Sequence, residues 1–413
     1  MINERKKYVI IGTGGRGCDS YGKVILEDFS DCIELVGLYD INPKRCRVVS
    51  EMLGGIPAFE SFETMMDTVK PDGAVITTVD RFHHEYIIKC LDRGVDVITE
   101  KPMTIDADKC NAILEAEKRN NRKIKVIFNV RYDPHFVTIK KLIQSGAVGE
   151  IMNIDYEWLL DTDHGASYFR RWHRMMENSG GLLVHKATHH FDIINWLIEQ
   201  DPVTVYANGS LSFYGKDRRP HGERCSNCPY TGQCEFYWKV DDYHQKMYLD
   251  CESEDGYFRD RCPFDNEINI YDNMSLSVKY SKGALMSYSL IAHSPYEGWK
   301  LNISGSNGRI EANHFSSGRD AGSPCMQVTV FNRDGDVITY DTPKVSGSHG
   351  GGDAKIMRML FRNDIPDTLH QAAGSRDGAM SVMIGSCANI SIREGVPVRV
   401  ADLVDITKYY PNK

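Results

Sequence analysis

The stretch Tyr8-Val-Ile-Ile-Gly-Thr-Gly-Gly-Arg-Gly17 joins a short apolar run to glycines spaced as Gly12-x-Gly14-x-x-Gly17. The apolar run predicts a buried strand, and the glycines predict a tight turn into a helix. In such a unit the first glycine permits the turn, the second lets the backbone approach a pyrophosphate, and the third lets the helix pack closely on the strand. The N–H groups at the start of the helix then face the phosphates. The predicted cofactor contacts of this turn are Gly12, Gly14, Gly15, Arg16 and Gly17.

An acidic residue closes the next predicted strand. The apolar run Ile33–Tyr39 ends at Asp40, where a carboxylate accepts hydrogen bonds from the ribose hydroxyls of a dinucleotide. Its charge repels a 2′-phosphate, which predicts NAD in preference to NADP, although Lys44 and Arg45 soften that preference. The alternative is an ordinary turn with Asp40 as a solvated strand end, and the coincidence of strand, glycine turn, helix, strand and acid argues against it.

The composition is that of an ordinary globular protein. The 413 residues, of which 41% are hydrophobic and 26% charged, suffice for two domains with full cores. The net charge of −8 argues against nucleic acid or an anionic membrane as the main partner. No apolar run has the length of a membrane span, and no signal peptide is visible before the first strand. Several of the 12 cysteines, such as Cys90, fit buried thiols, so we expect a cytoplasmic location.

Two domains are expected from the order of the predicted elements. Strand and helix patterns alternate over residues 1–128, which predicts a doubly wound parallel sheet, a Rossmann domain. Residues 129–413 carry strands without intervening helices, which predicts an α+β domain with a mostly antiparallel open sheet. Ligands bind such parallel sheets at the carboxyl ends of the strands. The further cofactor contacts predicted there are Thr78, His83, Glu100, Lys101 and Asn129.

An ordered set of motifs resembles the Gfo/Idh/MocA family of glucose–fructose oxidoreductase, inositol dehydrogenase and rhizopine-catabolism proteins. The set begins with the glycine turn and continues, in chain order, with Thr78-x-x-x-x-His83, Glu100-Lys101-Pro102, Asn129-Val-Arg131-Tyr-x-Pro134, Gly180-Gly181 and His189-x-x-Asp192. The resemblance covers essentially the whole chain. It implies NAD(P)-dependent oxidation or reduction of a hydroxyl group, most often on a sugar, a sugar acid or an inositol.

Lys101 is the candidate catalytic base. Oxidation of an alcohol needs a base for the hydroxyl proton, and desolvation at a strand end inside a cleft lowers a lysine pKa toward the working range. In the family the lysine that matches Lys101 has this role, and Pro102 fixes the backbone behind it. By the same resemblance His189 contacts the substrate and shares in proton handling.

The histidine segment departs from the common family pattern. His185 stands where many members have an aspartate, and Lys186 stands where they have a small or apolar residue. His185 is therefore a catalytic candidate, with a plain core histidine as an equal alternative. The substrate pocket is expected to be basic and to favour a carboxylate or another anionic sugar. The candidate substrate contacts are Arg131, Trp172, Lys186 and His189.

A cysteine-rich insertion covers residues 214–266. Cys225-x-x-Cys228 is followed by Cys234 and Cys262, an arrangement found in zinc and iron–sulfur sites. The interpretation preferred here is a structural metal bound by these four thiols, and the alternative is two disulfides in an exported protein.

Three classes of function stay open at this point. The first is a sugar or cyclitol dehydrogenase. The second is a glycosidase that uses bound NAD for transient oxidation, or a keto-sugar reductase that supplies such a pathway. The third is a non-catalytic sensor that retains the dinucleotide fold, and the presence of Lys101 together with His189 weighs against it. By family analogy, a homodimer or homotetramer through the open sheet is expected.

Overall fold

The computed structural model describes residues 5–318, 321–345 and 348–411. Its strands form two sheets, one of seven strands and one of nine. The strands are β1 (Lys6–Ile11), β2 (Ile33–Tyr39), β3 (Ala58–Phe59), β4 (Gly73–Ile76), β5 (Asp96–Thr99), β6 (Ile124–Val126), β7 (Ile151–Asp161), β8 (Pro202–Ser210), β9 (Asn273–Tyr280), β10 (Leu285–Ser294), β11 (Gly298–Gly305), β12 (Gly308–Phe315), β13 (Cys325–Asn332), β14 (Val337–Pro343), β15 (Ala373–Gly374) and β16 (Val398–Arg399).

The helices begin where the sequence supplies capping groups. The side chains of Asn42, Ser61 and Asp106 each accept a backbone N–H at the start of a helix, the usual N-cap arrangement. The α-helices are α1 (Lys23–Asp28), α2 (Pro43–Met52), α3 (Phe62–Val69), α4 (His83–Leu91), α5 (Ala107–Asn120), α6 (Pro134–Gln144), α7 (Thr162–Arg170), α8 (Met176–Ser179), α9 (Leu182–His185), α10 (Ala187–Ile198), α11 (Asp242–Met247), α12 (Glu252–Asp255), α13 (Gly352–Phe361), α14 (Ser375–Glu394) and α15 (Val400–Leu403). A π-helical turn, Arg16–Gly22, leads into α1. No helix in the described part of the chain is long and apolar enough to cross a bilayer.

The first sheet is the doubly wound sheet that the N-terminal pattern predicts. Its order is β15-β6-β5-β4-β1-β2-β3, and the pairs among β1 to β6 are parallel. The seventh strand, β15, comes from the C-terminal part of the chain and pairs antiparallel with β6. A pattern reading of the sequence missed this strand because it has only two residues.

The second sheet confirms the prediction of a mostly antiparallel C-terminal sheet. Its order is β14-β13-β12-β11-β7-β10-β9-β8-β16, and only the β7–β10 pair is parallel. Buried and exposed residues alternate strictly along β9, so one face is packed and the other is open. Apolar side chains on the open face include Met152 and Leu285, each about half exposed at 53% and 51%.

The insertion over residues 214–266 carries α11 and α12 and packs back on the first domain. Apart from an isolated bridge between Arg224 and Arg261, its described residues pair with no strand. Met247 and Cys251 are completely buried, and Met247 joins a hydrophobic cluster with residues of β1, β2 and α2. The insertion is thus anchored on the first domain through residues such as Arg45 and Met247, 202 positions apart, a contact that its sequence does not reveal.

A buried ion pair ties the chain after β6 to α10 and α14. The guanidinium of Arg131 donates to both oxygens of Asp192, at 2.8 and 2.6 Å, and to Asp377 at 3.1 Å. Arg131 and Asp192 are 2% and 1% exposed. The role predicted for Arg131 as a substrate contact is therefore not supported, because its guanidinium N–H groups already donate to carboxylates inside the protein.

We expect Arg131→Met to lower the free energy of unfolding by about 3–5 kcal/mol, since it leaves a buried carboxylate without its cation. The double variant Arg131→Met/Asp192→Leu should recover much of that loss, because both charges are then removed. Urea unfolding followed by circular dichroism measures the two effects. A loss below about 1 kcal/mol in the single variant would contradict this account.

Candidate active site

The glycine turn is built so that only glycine fits at two of its positions. Gly12 has a φ of +96°, and a Cβ there would lie 2.6 Å from the backbone nitrogen of Thr78. A Cβ on Gly17 would lie 2.2 Å from the carbonyl oxygen of Gly12. These contacts bring the turn between β1 and the following helix against the end of β4, the crevice in which a parallel sheet binds its ligand. The turn therefore fits a dinucleotide pyrophosphate.

Asp40 lies at the end of β2, beside the turn, as predicted. One of its oxygens accepts the backbone N–H of Thr13 at 2.6 Å and the Thr13 hydroxyl at 3.0 Å, and the other accepts the N–H of Asn42 at 2.8 Å. The guanidinium of Arg45 lies 3.5 Å from the same carboxylate. Asp40 is 7% exposed, so most of its surface is covered by the turn and by Arg45.

Glu100 links the glycine turn to the catalytic candidate that follows it. Arg16 Nε lies 2.6 Å from Glu100 Oε1, and the Tyr21 hydroxyl donates to the same oxygen at 2.8 Å. Burial opposes ionisation, but the positive charge of Arg16 prevails and lowers the pKa of Glu100. Arg16 and Glu100, both predicted as cofactor contacts, thus form an ionised pair that positions the loop around Lys101.

Lys101 lies directly after the end of β5, half-buried, with a cis peptide to Pro102. Its Nζ donates to the carbonyl oxygen of His185 at 3.4 Å. Desolvation lowers the pKa of Lys101, and the carboxylates of Asp80 and Glu100 only partly offset it. The shift has the direction that a lysine needs in order to accept a proton near neutral pH.

His83 supports the lysine loop from behind. Its ring nitrogens lie 2.8 Å from the carbonyl oxygen of Pro102 and 3.0 Å from that of Thr78. The side chain is only 1% exposed. The predicted direct contact of His83 with the cofactor is therefore not supported, since the ring joins two strand ends instead. Thr78 itself is half-buried at the mouth of the crevice.

A residue missed by the sequence analysis, Asp80, completes the surroundings of Lys101. Its carboxylate lies 2.5 Å from Nδ1 of His185, and both side chains are buried. Burial raises the pKa of Asp80 well above its usual range, and burial with the nearby Lys101 lowers the pKa of His185 well below its own. Both shifts favour neutral forms. The signal that could have found Asp80 is its position just after β4, where the strand meets the crevice.

The remaining candidates of the histidine segment lie on α9 and α10 or between them. His189 is 4% exposed, and its ring packs edge-on against Phe128 with centroids 6.1 Å apart. Lys186 lies between the two helices, with its Nζ 5.2 Å from the centroid of the Trp158 ring. Desolvation and the nearby Lys101 lower the pKa of Lys186 to about 8. Trp172 is half-buried and packs edge-on against His185, with centroids 5.5 Å apart.

Two arginines extend the positive charge of the site away from Lys101. Burial and the neighbouring Arg259 lower the pKa of Arg171, which also lies within electrostatic reach of Lys101 and Asp80. Among the residues that the structure describes, neither Arg171 nor Arg259 forms an ion pair with a carboxylate. Arg259 lies in the insertion, which has none of the family motifs, so the sequence analysis could not predict that it adds positive charge to the site.

Asn129 follows β6, as predicted, and its side-chain amide donates to Asp353 just inside α13. Arg16 lies 3.5 Å from the same Asp353 oxygen. Asp353 therefore joins the glycine turn to the loop after β6, although it is more than 200 residues further along the chain. Both loops are held at one edge of the sheet.

The cysteine prediction is not supported by the geometry. Within the described ranges no group of three or more His, Cys, Asp or Glu side chains is placed to hold a metal ion, and all twelve cysteines are free thiols. Cys225, Cys228, Cys234 and Cys262 do line one cavity. The Cys225 sulfur accepts a hydrogen bond from the guanidinium of Arg170 at 2.9 Å. The arrangement predicted for a structural metal is thus not present among the described residues, and no disulfide joins these four cysteines.

Comparison with known proteins identifies the class. Residues 6–128 match the model of the Gfo/Idh/MocA oxidoreductase family, NAD-binding Rossmann fold, and residues 140–400 match that of its C-terminal alpha/beta domain. The chain belongs to this family of NAD(P)-dependent oxidoreductases.

Individual relatives agree with this assignment. The chain is 37% identical over 421 residues to YteT of Bacillus subtilis, provisionally named an oxidoreductase, covering 96% of this chain and 98% of YteT. It is 30% identical over 216 residues to an inositol 2-dehydrogenase of Rubrobacter xylanophilus, covering 50% and 56% of the two chains. A crystal structure of myo-inositol 2-dehydrogenase from Lactobacillus plantarum has the same fold, with a TM-score of 0.65, 20% identity and coverage of 96% and 99%.

Proposed function

We propose that this oxidoreductase interconverts a hydroxyl and a keto group on a sugar, a sugar acid or a cyclitol. The observation that carries the proposal is Lys101, a desolvated lysine with a lowered pKa at the carboxyl end of β5. It lies on the same edge of the sheet as the glycine turn and Asp40. A base at this point suits the removal of a proton from an alcohol that loses hydride to a nicotinamide.

Each group has a separate role in the proposed oxidation or reduction. Bound NAD supplies the hydride acceptor or donor, at C4 of the nicotinamide. Lys101 takes the hydroxyl proton during oxidation and returns it during reduction. The Asp80–His185 pair lies beside Lys101, and when Asp80 is ionised its charge opposes the effect of desolvation on the lysine pKa. His189 is assigned to the orientation of the substrate oxygen, by the family resemblance.

The site also favours a substrate that carries an acidic group. Desolvation is the main cause of the lowered pKa of Lys101 and of Lys186, and Arg171 adds to the effect on Lys101 as Lys101 does to the effect on Lys186, so like charges act on one another in this part of the site. Like charges brought out of water repel strongly, and an anionic ligand relieves that repulsion. A carboxylate on the sugar, as in a uronate, is the simplest group to do so.

A redox-neutral glycosidase and a non-catalytic sensor remain the alternatives. A dehydrogenase consumes added NAD in proportion to product, whereas a glycosidase that oxidises its substrate transiently does not. A screen of aldoses, uronates, inositols and their keto forms with NAD and NADP separates the three classes. The proposed partners are small carbohydrates. By family analogy, we also propose that the chain forms a homodimer or homotetramer through the open face of the second sheet.

NAD should be preferred to NADP. Asp40 repels a 2′-phosphate, and the two cations that could receive that phosphate are engaged elsewhere, Lys44 by the carbonyl oxygen of Asp250 and Arg45 by Asp255. We expect a higher kcat/KM with NAD than with NADP in the unmodified protein. In Asp40→Ser the ratio of the two kcat/KM values should be closer to one. Equal or better efficiency with NADP in the unmodified protein would contradict this expectation.

Lys101→Met should lower kcat by ~100- to 10,000-fold, the usual contribution of a general acid–base group, without loss of NADH binding. In the oxidation direction the rate should rise with pH as Lys101 loses its proton, below the ordinary lysine pKa, and this limb should vanish in the variant. Initial rates and NADH fluorescence titrations measure the two effects. The matched control is Lys118→Met, on the exposed face of α5. Near-normal kcat in Lys101→Met would exclude the mechanism.

Lys186→Met should raise KM about 10- to 100-fold for an acidic sugar, the range of a hydrogen bond to a charged group. KM for the parent neutral sugar should change little. With the unmodified protein, KM for the acid should rise as pH passes about 8, because Lys186 then loses its charge. Equal changes in KM for acidic and neutral substrates would argue against recognition of an anion by this lysine.

A further inference from the structure

Part of the insertion lies directly on the glycine turn. We call residues 241–257 the strap; it contains α11 and α12. The hydroxyl of Tyr248 accepts the backbone N–H of Gly15 at 2.9 Å. The hydroxyl of Tyr243 donates to Asp19, one helical turn further on, at 2.5 Å. The strap thus covers the start of the helix that follows β1.

The strap is also bound to the start of α2, beside Asp40. Arg45 Nε donates to the carbonyl oxygen of Met247 at 3.1 Å, and its Nη2 lies 2.7 Å from Asp255. The side-chain amide of Asn42 donates to the carbonyl oxygen of Cys251 at 2.8 Å. The strap therefore spans both the pyrophosphate end and the ribose end of the predicted dinucleotide position.

Tyr248 is fixed from both sides. Its side chain is 8% exposed, and the guanidinium groups of Arg259 and Arg45 lie 4.1 and 5.5 Å from the centroid of its ring. A Cβ on Gly15 would lie 3.4 Å from the Tyr248 hydroxyl, and one on Gly14 would lie 3.7 Å from it. The hydroxyl therefore occupies the space immediately in front of the turn.

The backbone N–H of Gly15 can donate either to the Tyr248 hydroxyl or to a phosphate oxygen, but not to both. Gly15 precedes the π-helical turn Arg16–Gly22, so its N–H is among those that a glycine turn directs at a phosphate. While Tyr248 accepts this N–H, a phosphate oxygen cannot reach the same position.

The geometry points to the strap as a lid over the dinucleotide site, with the Tyr248 hydroxyl as a competitor of the cofactor pyrophosphate for the N–H of Gly15. The strap must swing away before the dinucleotide enters, so the apparent affinity is reduced by the fraction of molecules with the lid open. This inference, like the proposed function, requires that the protein binds a dinucleotide. It does not depend on which sugar is the substrate.

The test measures NADH binding by stopped-flow fluorescence, without substrate. Tyr248→Phe keeps the ring between the two arginines but removes the acceptor, so the closed lid loses one hydrogen bond. The association rate constant should rise about 2- to 10-fold and Kd should fall by a similar factor. Lys44→Met, which removes one bond between α2 and the strap, to the carbonyl oxygen of Asp250, without touching the glycine turn, should change both constants in the same direction.

The control is Tyr237→Phe, an exposed tyrosine of the same insertion at 44% exposure, which should bind NADH as the unmodified protein does. An unchanged association rate in Tyr248→Phe would overturn the lid, as would equal acceleration in the control. A raised Kd would also overturn it, by showing that the hydroxyl holds the cofactor. Unmodified protein that binds no NADH would refute the dinucleotide assignment itself, whereas normal NADH binding without sugar turnover would refute only the proposed reaction.

Discussion

The carboxylate of Glu100 is the contact on which the candidate site depends. It receives Arg16 and Tyr21 from the helix after the glycine turn, at 2.6 and 2.8 Å, and the backbone N–H of Lys101 at 3.3 Å. A buried charge is stable only if its partners stay in place, because removing one of them leaves the other uncompensated. The glycine turn and Lys101, the base that we propose, are therefore held at a fixed separation. Hydride transfer needs that separation, since nicotinamide and base must meet at one carbon.

Local patterns could predict one side of this arrangement. The glycine spacing placed the turn, the acid after β2 placed Asp40, and the motif after β5 placed Glu100 and Lys101, because each is a short segment with its own steric or chemical requirement. The contacts that the sequence analysis missed join distant segments. Asp80 and His185 are 105 positions apart, Arg131 and Asp192 are 61 apart, and Gly15 and Tyr248 are 233 apart. The first and third of these contacts join the two domains and the second lies within the C-terminal domain, but all three follow from tertiary packing, which no local pattern encodes.

The insertion shows how a strong motif can mislead. Its cysteine spacing is typical of a metal site, yet the spacing says nothing about how an irregular loop directs its thiols, and here two of them accept hydrogen bonds from Arg170 and from the backbone N–H of Gly222. The part of the insertion that does reach a ligand site has no motif at all. Tyr248 and Arg259 are single residues in a polar segment, and only the fold brings them to the crevice.

Arg259 acts on residues at both ends of that crevice, Tyr248 of the strap at one end and Arg171 at the other. It lies over the ring of Tyr248 at 4.1 Å, and its charge is close enough to lower the pKa of Arg171. An anion that binds near both arginines would relieve their repulsion and so alter the charge that acts on the Tyr248 ring. Two ligands that act on one movable element affect each other's affinity by the same factor. If the substrate is acidic and the strap covers the cofactor, as we propose, the acidic substrate and the dinucleotide should influence each other's binding through Arg259.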